Sequence, residues 1–365
     1  MVGSGLRIVR AACMLLALAA LSACQGAGDA APPALGASTP PASAHLTFPA
    51  PDAWGGEARC MADGCKVILV EHETGNLVLR RFQNGEVAEL SRHPLAYHPD
   101  SAKWLTDEWV VTAVEAGRTI EFFNIREGKL IRHAIAEVPF APRDVTVLDS
   151  AGDSFTLVAT PYNGKQVAVL EWRLGSKEAR VAPVDWCEEP WHPARVERAP
   201  RGAGPGAVVA CRRDFRLLHV SARNWTAPPV ELARVGNVAR QARPSPSGKW
   251  VYVALEVGQR NARINMDTGE MQYLTAPHVP GNISVVPLSD ELVVWGGATS
   301  LALQRLDAEG KPLETRWLRA SGFPTNLQVL DLNGDGERDL LILSSSGELA
   351  DVYLGPLWGR ALEKL

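Results

Sequence analysis

Short apolar runs separated by turn-forming residues dominate the chain after about residue 45. The runs 66–70, 109–114 and 250–254 combine β-branched, aromatic and leucine side chains, and the segments between such runs contain Gly, Asn, Asp and Pro, as in 162–165. Helical periodicity is scarce. The pattern therefore predicts an all-β fold of short strands joined by hairpin turns.

The strands recur in units of about 40–48 residues, the length of a four-stranded propeller blade. Seven units can be placed, at 46–93, 102–141, 142–186, 191–234, 236–277, 281–320 and 321–365. The repeat predicts a β-propeller of seven four-stranded blades. Ring closure would pair an N-terminal strand near 46–60 with the last blade and so remove free edges. Six or eight blades, a β-sandwich and two smaller β-domains are the alternatives.

The fifth unit contains the segment 243–254, Arg-Pro-Ser-Pro-Ser-Gly-Lys-Trp-Val-Tyr-Val-Ala. It resembles the Ser-Pro-Asp-Gly-Lys segment of TolB-type propellers, in which a tight turn leads into a buried strand. Ser247 stands where that family usually has Asp, and the other units show the segment poorly. The resemblance implies a propeller blade at this point.

The N-terminus has the pattern of an export signal. Arg7 and Arg10 precede an apolar run at 11–21, which is too short to span a bilayer as a helix. Leu-Ser-Ala-Cys at 21–24 resembles the bacterial lipobox. The resemblance implies a signal peptide over 1–23, cleavage before Cys24, and diacylglycerol and acyl chains (palmitate) on that cysteine. The alternative is an ordinary secretory signal in which Cys24 is incidental.

The segment after the cysteine predicts a tether and a location. Residues 24–44 are mostly Ala, Pro, Gly, Ser and Thr, a composition that favours a flexible linker ahead of a folded domain at 45–365. In enteric bacteria, Asp after the lipidated cysteine favours retention at the inner membrane. Gln25 stands there instead, so we expect the outer membrane, with the folded domain in the periplasm or at the cell surface.

Charge is unevenly distributed. The net charge is −4, which gives no bulk attraction to nucleic acid. Residues 45–150 hold 11 Lys/Arg against 16 Asp/Glu (−5), and residues 186–263 hold 13 against 6 (+7). The second region could meet an anionic partner, or could consist of solvated strand faces and loops. Its arginines include Arg195, Arg198, Arg201, Arg212, Arg213, Arg216 and Arg223.

Four cysteines remain after Cys13 and Cys24, and an even number in an oxidising compartment favours two disulfides. Cys60 and Cys65 flank a short turn, and Cys187 and Cys211 flank a long loop rich in Pro, Gly and Arg. Three pairings are possible in principle, and local pairing is our prediction. No His stands at ligand spacing from these thiols, so a zinc site built on them is not expected.

The segment 331–339, Asp-Leu-Asn-Gly-Asp-Gly-Glu-Arg-Asp, has oxygen-bearing side chains at positions 1, 3, 5 and 9, as hard Ca²⁺ prefers. It lacks the Glu at position 12 of an EF-hand, and its flanks are strands. It resembles the calcium loop of FG-GAP/VCBS propeller repeats. That resemblance implies a structural Ca²⁺ held by Asp331, Asn333, Asp335, the backbone carbonyl of Glu337, and Asp339. The alternative is a metal-free Asx turn.

No sequence motif indicates catalysis, so we predict no catalytic residue and no organic cofactor. His72 lies between two acids in a predicted strand and is interpreted as a surface residue, while Trp186, Trp191 and His192 could form an aromatic ligand platform or pack around a disulfide. The preferred function is a membrane-anchored binding or scaffold propeller for an envelope partner, a protein or an anionic component. The alternative is a secreted propeller enzyme, such as a quinoprotein dehydrogenase, glycan lyase or hydrolase, with its site in the central channel.

The anchor gives the first prediction. Replacing Cys24 by Ser removes the sulfur that would carry lipid, so we expect the protein to leave the membrane fraction for the soluble envelope fraction. Fractionation and immunoblotting measure this, with Cys13→Ser as the control. A Cys24→Ser protein that stays with the membrane would refute the lipid anchor.

Overall fold

The computed structural model describes residues 45–83, 85–198, 204–257, 260–275 and 281–359. These residues form 28 strands in seven four-stranded antiparallel sheets, and none of them forms an α-helix. The predicted signal peptide 1–23, Cys24 and the tether 24–44 lie outside the described residues, as does Arg201. Among the described residues there is no helix with the length and apolarity to cross a membrane.

The strands follow one another along the chain with short connections. In order they are β1 (His45–Pro49), β2 (Ala53–Met61), β3 (Gly64–Glu71), β4 (Asn76–Gln83), β5 (Glu86–Pro94), β6 (Pro99–Trp104), β7 (Trp109–Val114), β8 (Thr119–Arg126), β9 (Lys129–Glu137), β10 (Pro142–Ala151), β11 (Ser154–Pro161), β12 (Gln166–Arg173), β13 (Arg180–Asp185), β14 (Pro190–Val196), β15 (Gly206–Cys211), β16 (Arg216–Ser221), β17 (Val230–Arg234), β18 (Ala239–Pro244), β19 (Trp250–Leu255), β20 (Arg260–Asn265), β21 (Met271–Thr275), β22 (Asn282–Pro287), β23 (Leu292–Gly297), β24 (Ser300–Leu306), β25 (Pro312–Arg319), β26 (Phe323–Leu330), β27 (Asp339–Ser345) and β28 (Leu349–Tyr353).

The seven sheets are the blades of a β-propeller. Blades 1 to 6 consist of β2–β5, β6–β9, β10–β13, β14–β17, β18–β21 and β22–β25, and blade 7 consists of β26, β27, β28 and β1. The innermost strands β2, β6, β10, β14, β18, β22 and β26 contact one another in that cyclic order, and β26 contacts β2. The seven-bladed propeller is thus confirmed, and the sandwich, two-domain, six-blade and eight-blade alternatives are excluded.

The core is divided among the interfaces between blades. Seven apolar clusters are each shared by two neighbouring blades, so that every interface in the ring has one. Between blades 2 and 3, for example, Phe122 stacks on Trp172 with ring centroids 4.3 Å apart. A single sheet would expose both of its apolar faces, so each blade is stable only against its neighbours.

The N-terminal strand closes the ring. β1 pairs antiparallel with β28, and Leu46 lies opposite Val352. The expected closure near 46–60 is therefore correct, but it uses β1 alone. The start of the first predicted unit, 46–93, belongs to blade 7, and blade 1 begins at Ala53.

Both predicted disulfides are present. Cys60–Cys65 closes the hairpin between β2 and β3, and Cys187–Cys211 ties the loop before β14 to the end of β15. In the TolB-like segment 243–254, the chain turns between β18 and β19, and Gly248 has a φ of 72°. Ser247, which replaces the usual Asp, accepts a hydrogen bond from Lys249 N and donates one to Asp290.

Closure gives the second prediction. Phe48 of β1 is 4% exposed and packs in the cluster shared by blades 7 and 1. We expect Phe48→Ala to lower the free energy of unfolding by about 3–5 kcal/mol through the cavity it leaves. Leu313→Ala, at a residue that is 55% exposed, should change it by no more than about 0.5 kcal/mol. Denaturant titration measures both, and equal effects would contradict closure by β1.

Candidate functional site at the channel mouth

Every innermost strand contains a β-bulge near its start. The pairing with the second strand of the blade skips one residue in six blades and two residues in blade 4. A skipped residue is left out of the ladder, so its side chain can be turned away from the sheet. The skipped residues are Trp54, Asp100, Arg143, His192 with Pro193, Arg240, Ile283 and Thr325.

These skipped residues meet in one recess on the ring axis. It is lined by Trp54, Asp100, Arg143, His192, Arg240, Ile283 and Thr325, one residue from each blade. The recess has a volume of about 20 Å³, enough for roughly one water molecule. It marks the mouth of the central channel on the side where the innermost strands begin, which we call the top face.

A second set of side chains surrounds this ring. It consists of the residue that directly follows the second strand of each blade: His72, Glu115, Tyr162, Arg212, Glu256, Ala298 and Ser346. Blades 6 and 7 supply only Ala298 and Ser346 to this set, and only Ile283 and Thr325 to the inner ring. The ionisable groups of both rings therefore come from blades 1 to 5.

Three arginines and an indole form the basic side of the mouth. The guanidinium carbons of Arg143, Arg212 and Arg240 lie 4.4, 4.1 and 4.4 Å from the centre of the Trp191 ring. Arg143 also lies over Tyr162, at 5.0 Å. The negative face of an aromatic ring attracts a cation, which partly offsets the cost of placing these charges together.

Arg143 is the least compensated of the three. It is 5% exposed, its Nε has no hydrogen-bond partner, and no carboxylate among the described residues forms an ion pair with it. Arg212, in contrast, pairs with Glu189 at 3.1 Å and with Glu256 at 3.2 Å. Burial, and then the charge of Arg143, lower the pKa of Arg240 to about 9. The basic side thus carries more positive charge than its carboxylates neutralise.

An acid pair lies next to the basic side, in blade 2. Asp100 Oδ1 is 3.1 Å from His72 Nδ1. Burial, and then the charge of Asp100 and a hydrogen bond to it, raise the pKa of Glu115 to about 7. Glu115 is half-buried beside a buried carboxylate, and two adjacent carboxylates cannot both ionise cheaply. Glu115 is therefore partly protonated at neutral pH.

A second buried carboxylate pairs with His192. His192 Nδ1 donates a hydrogen bond to Asp144 Oδ2 at 3.1 Å. Burial raises the pKa of Asp144, but the bond from His192 and the charge of Lys103 outweigh it, and the pKa falls to about 2. Burial lowers the pKa of His192. The pair is therefore a neutral imidazole held in one orientation by an ionised Asp144.

The calcium-type loop lies at the other end of β26, away from the mouth. Asp331 accepts hydrogen bonds from the backbone N–H groups of Gly334, Asp335 and Gly336, which wraps the loop around its carboxylate. Asp339 is fully buried and accepts one bond from Leu332 N and one from Gly355 N. The turn is folded as a cation-binding loop would be. However, the hydrogen bonds to Asp339 also stabilise the loop without an ion. Calcium binding by this loop stays a prediction.

The side chains of the other predicted ligands are placed in or beside this turn. Asn333 donates to Asp335 Oδ2 at 3.0 Å, and Asp335 Oδ1 accepts from Glu337 N at 2.8 Å. The side chain of Glu337 is buried. The Cys60–Cys65 disulfide lies against the loop, since both sulfurs are within 3.3 Å of the carbonyl oxygen of Asp331.

Two interpretations of single residues need revision. His72 is buried, not on the surface, because β3 ends at Glu71 and strand alternation no longer applies one residue later. Trp191 is buried and in contact with three arginines, whereas Trp186 packs in the apolar cluster of blades 3 and 4. A role of these residues in holding a ligand stays a prediction.

Only part of the predicted basic segment lies at the channel mouth. Arg212 reaches the mouth, but Arg195, Arg198, Arg213 and Arg223 are exposed or half-exposed and fit the interpretation of solvated faces. Arg143 and Arg240 were not predicted as site residues from the sequence. The signal that could have found them is their equivalent position, the second residue of the first strand in their units.

In comparisons with known proteins, no family model and no curated protein matches the chain. Several solved structures share the fold. A virginiamycin B lyase from Staphylococcus aureus has 11% identity and a TM-score of 0.63, over 85% of this chain and 99% of that one. Sqt1 of Saccharomyces cerevisiae has 10% identity and a TM-score of 0.59, over 82% and 83% of the two chains. BBS1N in complex with ARL6DN has 14% identity and a TM-score of 0.60, over 86% and 96%. At these identities the likeness shows the propeller fold alone.

The raised pKa of Glu115 gives the third prediction. The pKa of Glu115 is raised in the folded protein, so the folded state holds a proton that the unfolded state has lost, and stability falls as pH rises from about 4.5 through 7. We expect Glu115→Gln to match the wild type near pH 5 and to be more stable at pH 8. Denaturant titrations across this range test it, with Glu108→Gln, at an exposed acid, as the control. Parallel profiles for the wild type and Glu115→Gln would rule out a raised pKa at Glu115.

Proposed function

We propose that this chain is a lipid-anchored envelope protein whose propeller binds a ligand through an anionic group at the channel mouth. The observation that carries the proposal is Arg143, a buried guanidinium without a counter-ion, which stands beside Arg240 in the ring of skipped residues. The anchor on Cys24 and the tether would keep this binding domain near a membrane.

The energetics favour an anionic ligand. A buried charge without a partner costs several kcal/mol, and a carboxylate or phosphate on a ligand would offset that cost. Guanidinium groups bind both anions through paired N–H donors. Arg143 and Arg240 both lie over the Trp191 ring. Arg143 has no carboxylate partner among the described residues, and Arg240 contacts Glu256 at 3.5 Å, a carboxylate that it shares with Arg212.

The shape of the mouth limits what can enter. A recess of about 20 Å³ holds roughly one water molecule, so only a single oxygen atom of an anionic end group could enter it. The rest of the ligand would lie outside the recess, in contact with the ring of Tyr162, which is 40% exposed. A terminal or side-chain carboxylate of a protein partner fits this description, and so does a phosphate-bearing envelope component. BBS1N, whose structure is that of a complex with ARL6DN, illustrates a propeller that holds a protein partner.

The fourth prediction tests the arginine. We expect an acidic peptide ending in a free carboxylate, or a phosphate monoester, to raise the melting temperature of the wild type. The shift should grow with the ligand concentration relative to the dissociation constant. Arg143→Met should abolish this shift, since it removes the charge. The ligand-free variant should melt at or above the wild-type temperature, because a buried unpaired charge is gone. Calorimetric titration supplies the dissociation constants.

The control is Arg213→Met, at a residue whose side chain is 71% exposed and whose charge pairs with Glu189. It should keep the ligand response of the wild type. Three probes are compared with the wild type: the peptide with a free C-terminal carboxylate, the same peptide with an amidated C-terminus, and the phosphate ester. The probe that binds with the lowest dissociation constant identifies the preferred anion. A wild type that responds to none of them, or an Arg143→Met variant that responds as well as the wild type, would end the proposal.

The enzyme alternative shares the same location, since residues of seven blades converge on the recess, five of them ionisable or aromatic. The two functions differ in the fate of the ligand. A binding protein returns it unchanged, whereas an enzyme returns a product, and mass spectrometry of the ligand recovered after incubation distinguishes them.

A further inference from the structure

Two histidines and a glutamate meet on the top face beside the channel mouth. His72 and Glu73 start the turn between β3 and β4, and His98 directly precedes β6. Each offers one ligand atom, and these atoms lie within 4.8 Å of one another. In the described part of the chain, no other three His, Cys, Asp or Glu side chains come together in this way.

The spacing is close to that of a coordination sphere. Ligand atoms about 2.1 Å from a zinc ion are at most about 4.2 Å apart, so small side-chain rotations would bring the three onto one ion. The rings of His72 and His98 are stacked, with centroids 4.1 Å apart and an angle of 11°. Coordination would tilt them out of this stack, so that their nitrogens converge.

Neighbouring groups hold two of the ligands as metal sites require. His72 Nδ1 faces Asp100 Oδ1 at 3.1 Å and the carbonyl of Pro99 at 3.3 Å, which leaves Nε2 as the ligand atom. A carboxylate behind a ligating imidazole is the usual arrangement at zinc sites. Tyr97 donates a hydrogen bond to Glu73 Oε2 at 2.6 Å, and Glu73 Oε1 lies 3.8 Å from His98 Nε2.

Asp100 supplies an independent observation. Its side chain is 2% exposed and lies against His72 Nδ1 on one side and the carboxyl group of Glu115 on the other. A buried carboxylate in that state is costly unless a positive charge lies close by. A cation bound to His72 would place such a charge one imidazole away, and would make the His72 N–H a stronger donor to Asp100.

We propose that His72, Glu73 and His98 form a binding site for a divalent transition-metal ion such as zinc, with Asp100 positioning His72. Two imidazoles and one carboxylate suit zinc and its neighbours, and do not suit calcium. Three protein ligands leave a coordination position for water or a ligand atom. The site lies next to the recess, because the Trp54 ring is 4.7 Å from the His72 ring.

Cobalt(II) is the probe, because its visible absorption reports the ligand geometry. The full chain in detergent is first freed of metal by chelation and dialysis, and Co²⁺ is then titrated with a Zn²⁺ competition. We expect one equivalent to bind with d–d bands in the visible range, and zinc to displace it. His98→Ala and Glu73→Gln should each weaken binding at least tenfold. Glu73 is 52% exposed, so its replacement leaves the fold intact.

Two controls separate this site from others. His133→Ala removes a histidine on β9, whose ring contacts Gly175 and Trp109, and should bind cobalt as the wild type does. Asp335→Ala alters the calcium-type loop and should also leave cobalt binding unchanged. Arg143→Met should keep the metal, which keeps this proposal distinct from the anion site. Absence of a one-equivalent cobalt complex, or full affinity in both His98→Ala and Glu73→Gln, would overturn it.

Discussion

The inner edge of every blade has no strand to pair with, and the structure depends on how this edge is satisfied. Neighbouring innermost strands diverge too far for a continuous ladder, yet buried backbone groups need partners. Side chains bridge the gap from one innermost strand to the next. Ser101 accepts a bond from Val145 N, and Gln241 accepts one from Val285 N. At the closure, Gln328 accepts from Ala58 N and donates to Gly56 O.

The bulges are the second consequence of that inner edge. Four bridging residues directly follow a residue that the ladder skips, namely Ser101, Gln241, Ser284 and Asn326. Since these side chains connect neighbouring blades, most of the skipped side chains are not needed for that purpose, although Thr325 also donates a hydrogen bond to Trp54 O. The identity of a skipped residue can vary from Trp to Asp to Arg without harm to the core. That freedom explains why charged and aromatic groups collect at the mouth.

The sequence predicts the parts of this fold that depend on local chemistry. The seven blades could be predicted from apolar runs, Gly and Asn turns, and a near-constant spacing of strands. Both disulfides could be predicted from the spacing of the cysteines. The mouth could not be predicted in the same way, because it unites residues 54 to 325 through the closed ring. Arg143 follows a Pro and precedes an Asp, which indicates a turn when the segment is considered alone. His72 was predicted to be a surface residue because it was placed inside the strand. The strand β3 ends one residue earlier, at Glu71, so the alternation of sides along a strand does not apply to His72.

The distribution of charge around the mouth argues for a ligand over a purely structural role. Asp100 and Arg143 occupy the same position in neighbouring blades, yet they form no ion pair in the described structure; Asp100 lies against His72, and Arg143 lies against aromatic rings. A mouth selected for stability alone would bring these opposite charges together, since each is buried and each is costly by itself. The Trp54 ring instead contacts both His72, beside Asp100, and the guanidinium group of Arg143. Such separated charges are costly in the free protein and become favourable when a ligand supplies the missing counter-charge, which is the arrangement expected of a binding site.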